Sequence, residues 1–202
     1  MMPKLLAETR VERRQALIDA GWRSASRRAF RDMTVDDVCA EAEMSKGAFY
    51  GYFATKQDLL LALLEDDAAA LDRQLEPITE TCDSGVEWVR RFTRVVLKRS
   101  EDVARVQVRA DLWADLLTTD DVGQRLAGAT LRRREVMRTQ IEKADAPGEL
   151  RAIPADALTS ILLALADGLM LHGALGPGPF PTRHVRRSVE ILFAGIETGH
   201  SP

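Results

Sequence analysis

The residues between Thr34 and Lys56 have side chains that suit contacts with the grooves and phosphates of DNA. Small or flexible residues occupy consecutive positions, namely Ser45, Lys46, Gly47 and Ala48. Such residues let a helix approach base edges in a major groove only ~12 Å wide. Tyr50 and Tyr52 follow, and their hydroxyls can bond phosphate while their rings pack on the protein. Lys56 adds a cation at a predicted helix start, where free backbone N–H groups already attract anions.

Each of these residues also has a purely structural explanation. A lone Ser or Thr at a helix start is nearly always a cap, and a lone Tyr more often packs than binds phosphate. Lys46 is explained about as well by a solvated or phosphate-bound side chain as by a base contact. Only the ordered combination favours DNA binding. The predicted core of this segment consists of Val38, Cys39, Phe49, Phe53 and Leu59.

Three helix starts position these residues. The motifs TVDD at residue 34 and TKQD at residue 55 place a hydroxyl three residues before a carboxylate, which is typical of a capping box, and Ser45 can cap a helix between them. These signals predict helices over about 34–42 and 45–52 and a long fourth helix from 55. With a first helix over about 10–28, they form a helix-turn-helix.

The rest of the chain has helical rather than alternating periodicity, so the predicted fold is all-α with about nine helices. The clearest breaks are expected at APG from residue 146 and at GPGP from residue 176, and the helices after Pro77 are expected to be longer. The later helices are predicted at about 85–99, 102–117, 121–143, 155–174 and 183–198. The expected organisation is a three-helix N-terminal domain at 1–56 and a helical C-terminal domain at 57–202.

Composition restricts the function classes. The 202-residue chain is 46% hydrophobic with a net charge of −3, so nucleic-acid binding requires a local basic patch. Residues 1–56 carry 10 basic and 8 acidic residues, whereas 57–202 carry 18 and 23.

Cys39 and Cys82 share no metal-binding spacing, which predicts a reducing cytoplasm, no disulfide and no metal. The apolar stretch at 161–171 is far shorter than the ~20 residues of a membrane span, and no signal pattern begins the chain.

The first third of the chain resembles the DNA-binding signature of the TetR family of bacterial regulators, from ALIDAG in the first helix to SKGAFYGYFATKQDLL. This resemblance implies that Ser45, Lys46, Gly47 and Ala48 read or border bases. It likewise implies that Thr34, Tyr50, Tyr52 and Lys56 hold the DNA backbone. The family implies a transcriptional regulator, most often a ligand-responsive repressor that binds a palindromic operator as a dimer.

The chain departs from the family pattern at several positions. Ala29 and Glu43 stand where Gly is usual, and a left-handed backbone there would cost ~1–2 kcal/mol. Ser24 and Ala25 replace a Leu-Phe pair, whose space Trp22 is expected to fill. Gly51, placed by the prediction inside the short recognition helix, is expected to weaken that helix by ~1 kcal/mol.

The C-terminal segments LWADLLTTDDVGQRL and LTSILLALADGLMLHGAL are similar to the ligand-binding half of TetR-type regulators, particularly choline-responsive repressors. The resemblance implies a homodimer through the last two helices and a small-molecule effector. The predicted dimer contacts are Leu162, Leu165, Leu169, Val185, Val189, Leu192 and Ile196. An apolar or amphipathic effector is expected in a pocket lined by Trp88, Phe92, Arg109, Trp113, Leu116, Met137, Met170 and His172, although most of these suit a core equally well.

Two other function classes compete with a regulator. An enzyme, such as a helical hydrolase or a metal-dependent lyase, is disfavoured because His172, His184 and His200 lie in no HExxH pattern and no phosphate loop or GxSxG occurs. We therefore expect no catalytic residue and no cofactor. A helical dimer that has lost DNA binding is the second alternative, favoured by Glu43, Gly51 and the weak basic charge. A coiled seam within one subunit would also produce the apolar stripe of the last helix.

Overall fold

The fold of the chain is all-α, as predicted. A computed structural model describes residues 2–117, 122–145, 148, 153–175 and 182–197. In these ranges the regular elements are a 3₁₀ turn at Phe30–Asp32 and nine α-helices. The helices are α1 Met2–Ala25, α2 Val35–Ala42, α3 Lys46–Tyr50, α4 Lys56–Thr81, α5 Gly85–Ser100, α6 Val103–Leu117, α7 Val122–Asp145, α8 Ala155–Leu175 and α9 Thr182–Ile196. None of the helices in the described ranges has the length and apolar character needed to cross a membrane.

The predicted bounds of the first helix are wrong, and the fourth helix runs through Pro77. Helix α1 begins at Met2 rather than near residue 10, and its early turns are exposed where side chains are described, including Val11 at 70%. Periodicity gives no signal over residues 9–15 of these turns, because all of those residues are exposed. Helix α4 continues past Pro77 to Thr81. Proline lacks the backbone N–H that would donate to the carbonyl four residues earlier, and the helix continues without that bond. After the proline, the Thr81 hydroxyl donates to the carbonyl of Pro77 at 2.6 Å.

The chain divides into two compact units. The first comprises Met1–Ala68 and Val108–Leu126, and the second comprises Ala69–Gln107 and Ala127–Pro202. This division follows packing and falls within α4, α6 and α7. The functional boundary expected after residue 56 stays a prediction.

The core of the first unit contains the residues predicted for it. Val38, Cys39, Phe49, Phe53 and Leu59 are all buried. Trp22 packs against this core, as expected, and its Nε1 donates to Asp66 Oδ2 at 3.1 Å. A Cβ at Gly21 would lie 3.1 Å from Leu63 Cδ2. The absence of a side chain at Gly21 therefore lets α1 and α4 approach closely.

A buried ion pair also lies inside the first unit. Arg109 of α6 donates to both carboxylate oxygens of Asp67 of α4, at 2.8 Å from Nε and 2.7 Å from Nη2. Only 6% of the Arg109 side chain and 12% of the Asp67 side chain are exposed. The two-point geometry fixes the guanidinium plane against the carboxylate. The pair therefore sets the position of α6 on α4 within this unit.

The second unit has an aromatic and aliphatic core. Trp88 and Phe92 of α5 stack with ring centroids 5.5 Å apart, and Met137 of α7 is buried in the same cluster. The Trp88 Nε1 donates to Thr79 Oγ1 at 2.9 Å, so the buried indole N–H is satisfied. Helices α8 and α9 contribute Leu162 and Val189 among others to this core.

Candidate nucleic-acid interface

The start of α2 is fixed by a capping box. Thr34 Oγ1 accepts a hydrogen bond from the Asp37 backbone N–H at 3.2 Å, and Asp37 Oδ2 accepts from the Thr34 backbone at 2.8 Å. The Thr34 hydroxyl also donates to Asp37 Oδ2 at 2.7 Å. The bond from the Thr34 backbone is the main cause of a lowered Asp37 pKa. Thr34 is exposed, but a phosphate contact through its hydroxyl proton would replace the bond to Asp37.

Helix α3 presents its first turn to solvent. Ser45 caps the helix by accepting from the Ala48 backbone N–H at 3.1 Å. Ser45, Lys46 and Gly47 are exposed, whereas Phe49 is completely buried and holds the other side of the helix on the core. A Cβ at Gly47 would meet only Ser45 Oγ, at 3.8 Å. The turn is therefore slim, accessible and shaped for close approach to a groove.

Lys46 lies at the outer tip of α3. Its Nζ is 2.9 Å from Asp36 Oδ2 of α2, and both side chains are more than half exposed. The hydrogen bond to Asp36 raises the pKa of Lys46, so the side chain is cationic at neutral pH. Asp36 thus fixes the position of the Lys46 ammonium on the surface and would compete with any phosphate or base for it.

The two tyrosines and Lys56 have different environments. Tyr50 is 54% exposed and meets Phe49 edge-on with centroids 5.5 Å apart. Tyr52 is half-buried against the core. Lys56 Nζ donates to the Arg31 carbonyl at 3.0 Å and lies 4.7 Å from the centroid of the Phe30 ring. Tyr50 is the more accessible of the two rings, and Lys56 also has a structural role.

The departures from the expected glycine pattern have three different outcomes. Glu43 ends α2 in the left-handed region with φ 55° and ψ 39°, as the pattern implied. Ala29 has φ −54° and ψ 144°, so the expectation of a left-handed backbone there is wrong. Gly51 follows α3 as its C-terminal cap, so its placement inside the helix is wrong too. Its φ of −71° and ψ of −17° lie in the right-handed helical region, so the backbone there does not require glycine.

The sequence reasoning did not single out the arginines that lie beside this surface. The Arg10 guanidinium is 6.0 Å from the centroid of the Tyr52 ring, and that of Arg14 is 5.3 Å from the Phe53 centroid. Both residues belong to the exposed part of α1. The signal that could have found them is their i,i+4 spacing, which places both on one face of a helix.

The predicted pocket residues are divided between the units. Trp88, Phe92 and Met137 share the core of the second unit. Arg109 and Trp113 belong to the first unit, where Arg109 is bound to Asp67 and Trp113 is 43% exposed. The other predicted side chains, Leu116, Met170 and His172, lie outside those that the structure describes. The assignment of a pocket to this set stays a prediction.

A groove opens to solvent between α5 and α9. Arg90 on its wall donates to Glu197 Oε1 at 3.0 Å from Nε. The lining residues are Arg90, Thr93, Arg94, Leu97, Val189, Glu190 and Phe193. This groove includes none of the predicted pocket residues.

The predicted dimer contacts do not all face outward. Leu162, Leu169 and Val189 are buried within the single chain, and Leu165 and Val185 are half-buried. Val189 therefore needs no partner, because α9 packs that side on the core of its own unit, whereas Leu192 of the same stripe is exposed. The assignment of these residues to a dimer interface stays a prediction. The side chain of Ile196 lies outside those described.

Large apolar side chains nevertheless remain exposed on each of the last two helices. Ile161 and Leu171 of α8 are 59% and 50% exposed, and Ile191 and Leu192 of α9 are 63% and 64% exposed. Gly168 and Gly195 have open space where a Cβ would stand. Of the predicted contacts, Leu192 is one of these side chains. We call Ile161, Leu171, Ile191 and Leu192 the α8–α9 face.

Comparisons with known proteins match nearly the whole chain. Residues 17–63 match the family model of bacterial regulatory proteins of the tetR family, and residues 85–196 match that of the C-terminal part of BetI-type transcriptional repressors. The chain is 32% identical over 190 residues to the HTH-type transcriptional regulator BetI of Burkholderia thailandensis, covering 90% of this chain and 91% of BetI. It is 30% identical to the transcriptional regulator AcuR of Cereibacter sphaeroides, covering 86% and 82%.

A solved structure has the same fold. It is a putative transcriptional regulator from Saccharomonospora viridis in complex with choline, with a TM-score of 0.75 and 21% identity. The match covers 93% of this chain and 98% of that one.

Proposed function

This chain belongs to the TetR family of transcriptional regulators, which are not enzymes, and from that premise we propose that it is a ligand-responsive repressor. In this proposal a homodimer binds a palindromic operator in the cytoplasm and is released by a small molecule. Residues 1–56 bind DNA, and residues 57–202 bind the effector and form the dimer.

The observation that carries the proposal is the outward-facing first turn of α3. Ser45 caps the turn, Phe49 anchors it, and Lys46 and Gly47 are exposed at its tip. A helix that docks in a major groove needs a rigid base and a slim leading edge. Gly47 and Ala48 keep that edge slim, and in this proposal Tyr50 and Lys56 contact phosphates nearby.

A dimer is supported by the α8–α9 face and by the length of α3. Helix α3 spans only five residues, so one copy offers few base contacts. Two copies related by a two-fold axis read two half-sites, which is how short recognition helices reach useful specificity. Four large apolar side chains exposed on two neighbouring elements of the chain are typical of a surface that a second copy covers.

The effector is proposed to be an apolar or amphipathic molecule bound in the second unit. Choline is the first compound to test, because the C-terminal half matches BetI-type repressors and a similar fold is seen in complex with choline. A quaternary ammonium ion can bind to the faces of aromatic rings, and Trp88 and Phe92 are two stacked aromatic rings buried in the core of the second unit.

DNA binding is tested first with the purified full-length chain and a random-sequence duplex pool at low salt. Non-specific binding should appear and weaken as salt rises, because phosphate contacts release counterions. Selection from the same pool should then enrich a palindrome with half-sites about one helical turn apart or a multiple of it. Absence of any duplex binding at low salt would contradict the proposal.

That outcome would support the second candidate, a dimeric sensor without DNA binding. The observation in its favour is that basic side chains near α3 are tied to carboxylates, such as Lys46 to Asp36 and Arg28 to Asp37.

Effector binding is tested by tryptophan fluorescence during a choline titration. Quenching should disappear in Trp88→Phe and persist in Trp22→Phe, since Trp22 belongs to the first unit. Phenylalanine keeps most of the buried ring volume, so the variant should fold although Thr79 Oγ1 no longer accepts the hydrogen bond from Trp88. Quenching that survives in Trp88→Phe would place the site away from the α5 aromatic pair.

A further inference from the structure

The basic residues in and around the helix-turn-helix are largely neutralised by the protein itself. Glu41 accepts from Arg23 at 2.7 Å and from Arg27 at 2.5 Å. The remaining ion pairs there are Arg28–Asp37, Arg31–Asp32 and Lys46–Asp36. A cation already bound to a carboxylate contributes little net attraction to a phosphate. The positive potential needed for DNA must therefore come largely from elsewhere on this unit.

Arg10, Arg13 and Arg14 of α1 supply such charge. Among the described side chains, no ion pair joins any of the three to a carboxylate. All three residues are exposed. At ~100° per residue they fall within an arc of about 100° on the helix, and Glu12 lies roughly opposite. One turn of α1 thus presents three guanidinium groups in the same direction.

The structure joins this cluster to the recognition element. The Arg10 guanidinium lies against Tyr52, and that of Arg14 lies against Phe53, at 6.0 and 5.3 Å from the ring centroids. Both aromatic residues come directly after α3 in the chain, so the cluster is continuous with the surface that carries Tyr50. Tyr52 and Phe53 contact the Arg10 and Arg14 guanidinium groups through the faces of their rings. Such a cation–π contact does not use the guanidinium N–H groups as hydrogen-bond donors.

We propose that Arg10, Arg13 and Arg14 form a phosphate-binding patch that extends the DNA-binding surface onto α1. The match to the tetR family model begins at residue 17, so these three positions precede the segment that the family defines. The inference rests on the proposed DNA binding. The patch binds phosphates of the strand next to the half-site, and it adds affinity without sequence preference, because phosphate contacts carry no base information.

The test measures the salt dependence of duplex binding by the full-length chain, with a random-sequence duplex as the probe. Arg13→Gln removes the one guanidinium of the patch that has no aromatic contact, so packing is unchanged. Its log–log salt slope should become shallower by ~1 for each phosphate that the variant no longer binds. The double variant Arg10→Gln/Arg14→Gln should lower the slope further, and operator and random duplex should weaken by the same factor.

The matched control is Arg132→Gln, which removes an exposed arginine of α7 in the second compact unit. It changes the net charge equally and should leave the slope unchanged. If Arg13→Gln and the double variant both keep the wild-type salt slope, the patch proposal is overturned. That result leaves the proposed DNA binding intact, because the wild-type chain still binds the duplex. A slope lowered equally by Arg132→Gln would also overturn the patch proposal, because the effect would then reflect net charge rather than a patch. No duplex binding by the wild-type chain would instead contradict the proposed function itself.

Discussion

Two surfaces of this molecule are exposed for opposite physical reasons. The first turn of α3 is exposed and polar or small, with Ser45, Lys46 and Gly47 at its tip. The α8–α9 face is exposed and apolar, with Ile191 and Leu192 both more than 60% accessible. Water solvates the first surface at little cost, but each apolar side chain left in water forgoes ~1.5–3 kcal/mol of burial.

This difference identifies the kind of partner that each surface fits. A polar, slim helix tip beside exposed arginines suits a hydrated, negatively charged groove. An apolar face suits a protein surface of the same character, and in a two-fold dimer the same patch on both copies is self-complementary. The DNA-binding surface is therefore expected to respond strongly to salt, whereas the dimer is expected to respond mainly to apolar substitutions.

The largest expected effect comes from placing charge on the α8–α9 face. Ile191→Glu/Leu192→Glu should make the free energy of dimerisation less favourable by about 6 kcal/mol or more, because four apolar side chains per dimer each lose ~1.5 kcal/mol of burial. Sedimentation should show a monomer, and operator binding should disappear. Leu131→Glu, at an equally exposed Leu of α7 at 63%, is the control and should remain dimeric. A double variant that still sediments as a dimer would mean that the interface lies elsewhere.

The next largest effect concerns charge that is buried rather than exposed. Asp67→Asn removes the buried carboxylate charge that Arg109 binds through two hydrogen bonds inside the first unit, and should lower the free energy of unfolding by ~3–5 kcal/mol. Asp72→Asn on the same helix breaks the more exposed Arg133–Asp72 pair and should cost less than ~1 kcal/mol. Denaturant unfolding of both variants measures the difference. Equal decreases in stability would contradict the importance assigned to burial of the Arg109–Asp67 pair.

The polar surface is tested by two lysines with different surroundings. If Lys46 reaches a guanine edge, Lys46→Ala should cost ~1–3 kcal/mol on the selected operator and relax discrimination at one base pair in each half-site. Lys56→Ala should weaken all duplexes alike and lower the salt slope by ~1. Binding titrations against operator and random duplex distinguish these patterns. A uniform decrease in affinity with Lys46→Ala would remove Lys46 from the base-reading set, and unchanged affinity with Lys56→Ala would contradict its phosphate contact.

The smallest expected effect is a gain in stability at the turn between α2 and α3. Glu43→Gly relieves a left-handed backbone and should raise the free energy of unfolding by ~1 kcal/mol after the entropy cost of glycine. Ala29→Gly is the matched control, because Ala29 is not left-handed and should only lose stability. Thermal unfolding of both variants gives the comparison, and a Glu43→Gly variant less stable than wild type would show that Glu43 makes a compensating contact.

Much of the secondary structure of this protein could be predicted from the sequence alone, because it depends on interactions between residues close together in the chain. The starts of α2, α3 and α4 are predictable because a cap joins a side chain to a backbone three residues away, as Thr34, Ser45 and Thr55 all do. The all-α class and the later helix bounds follow from periodicity, which depends only on spacing within a helix. The left-handed backbone at Glu43 is likewise implied by the position where the family has glycine.

Other features were decided only by the tertiary structure, because they depend on which residues meet across long separations. Arg109 and Asp67 are 42 positions apart, and nothing local to Arg109 indicates that its partner is a carboxylate of α4 rather than a ligand. Helix α9 has apolar residues on two sides, and spacing cannot tell which side a neighbouring helix covers. Packing on the core of the second unit buries Val189 and leaves Leu192 in water, since a single helix can turn only one side toward its own core.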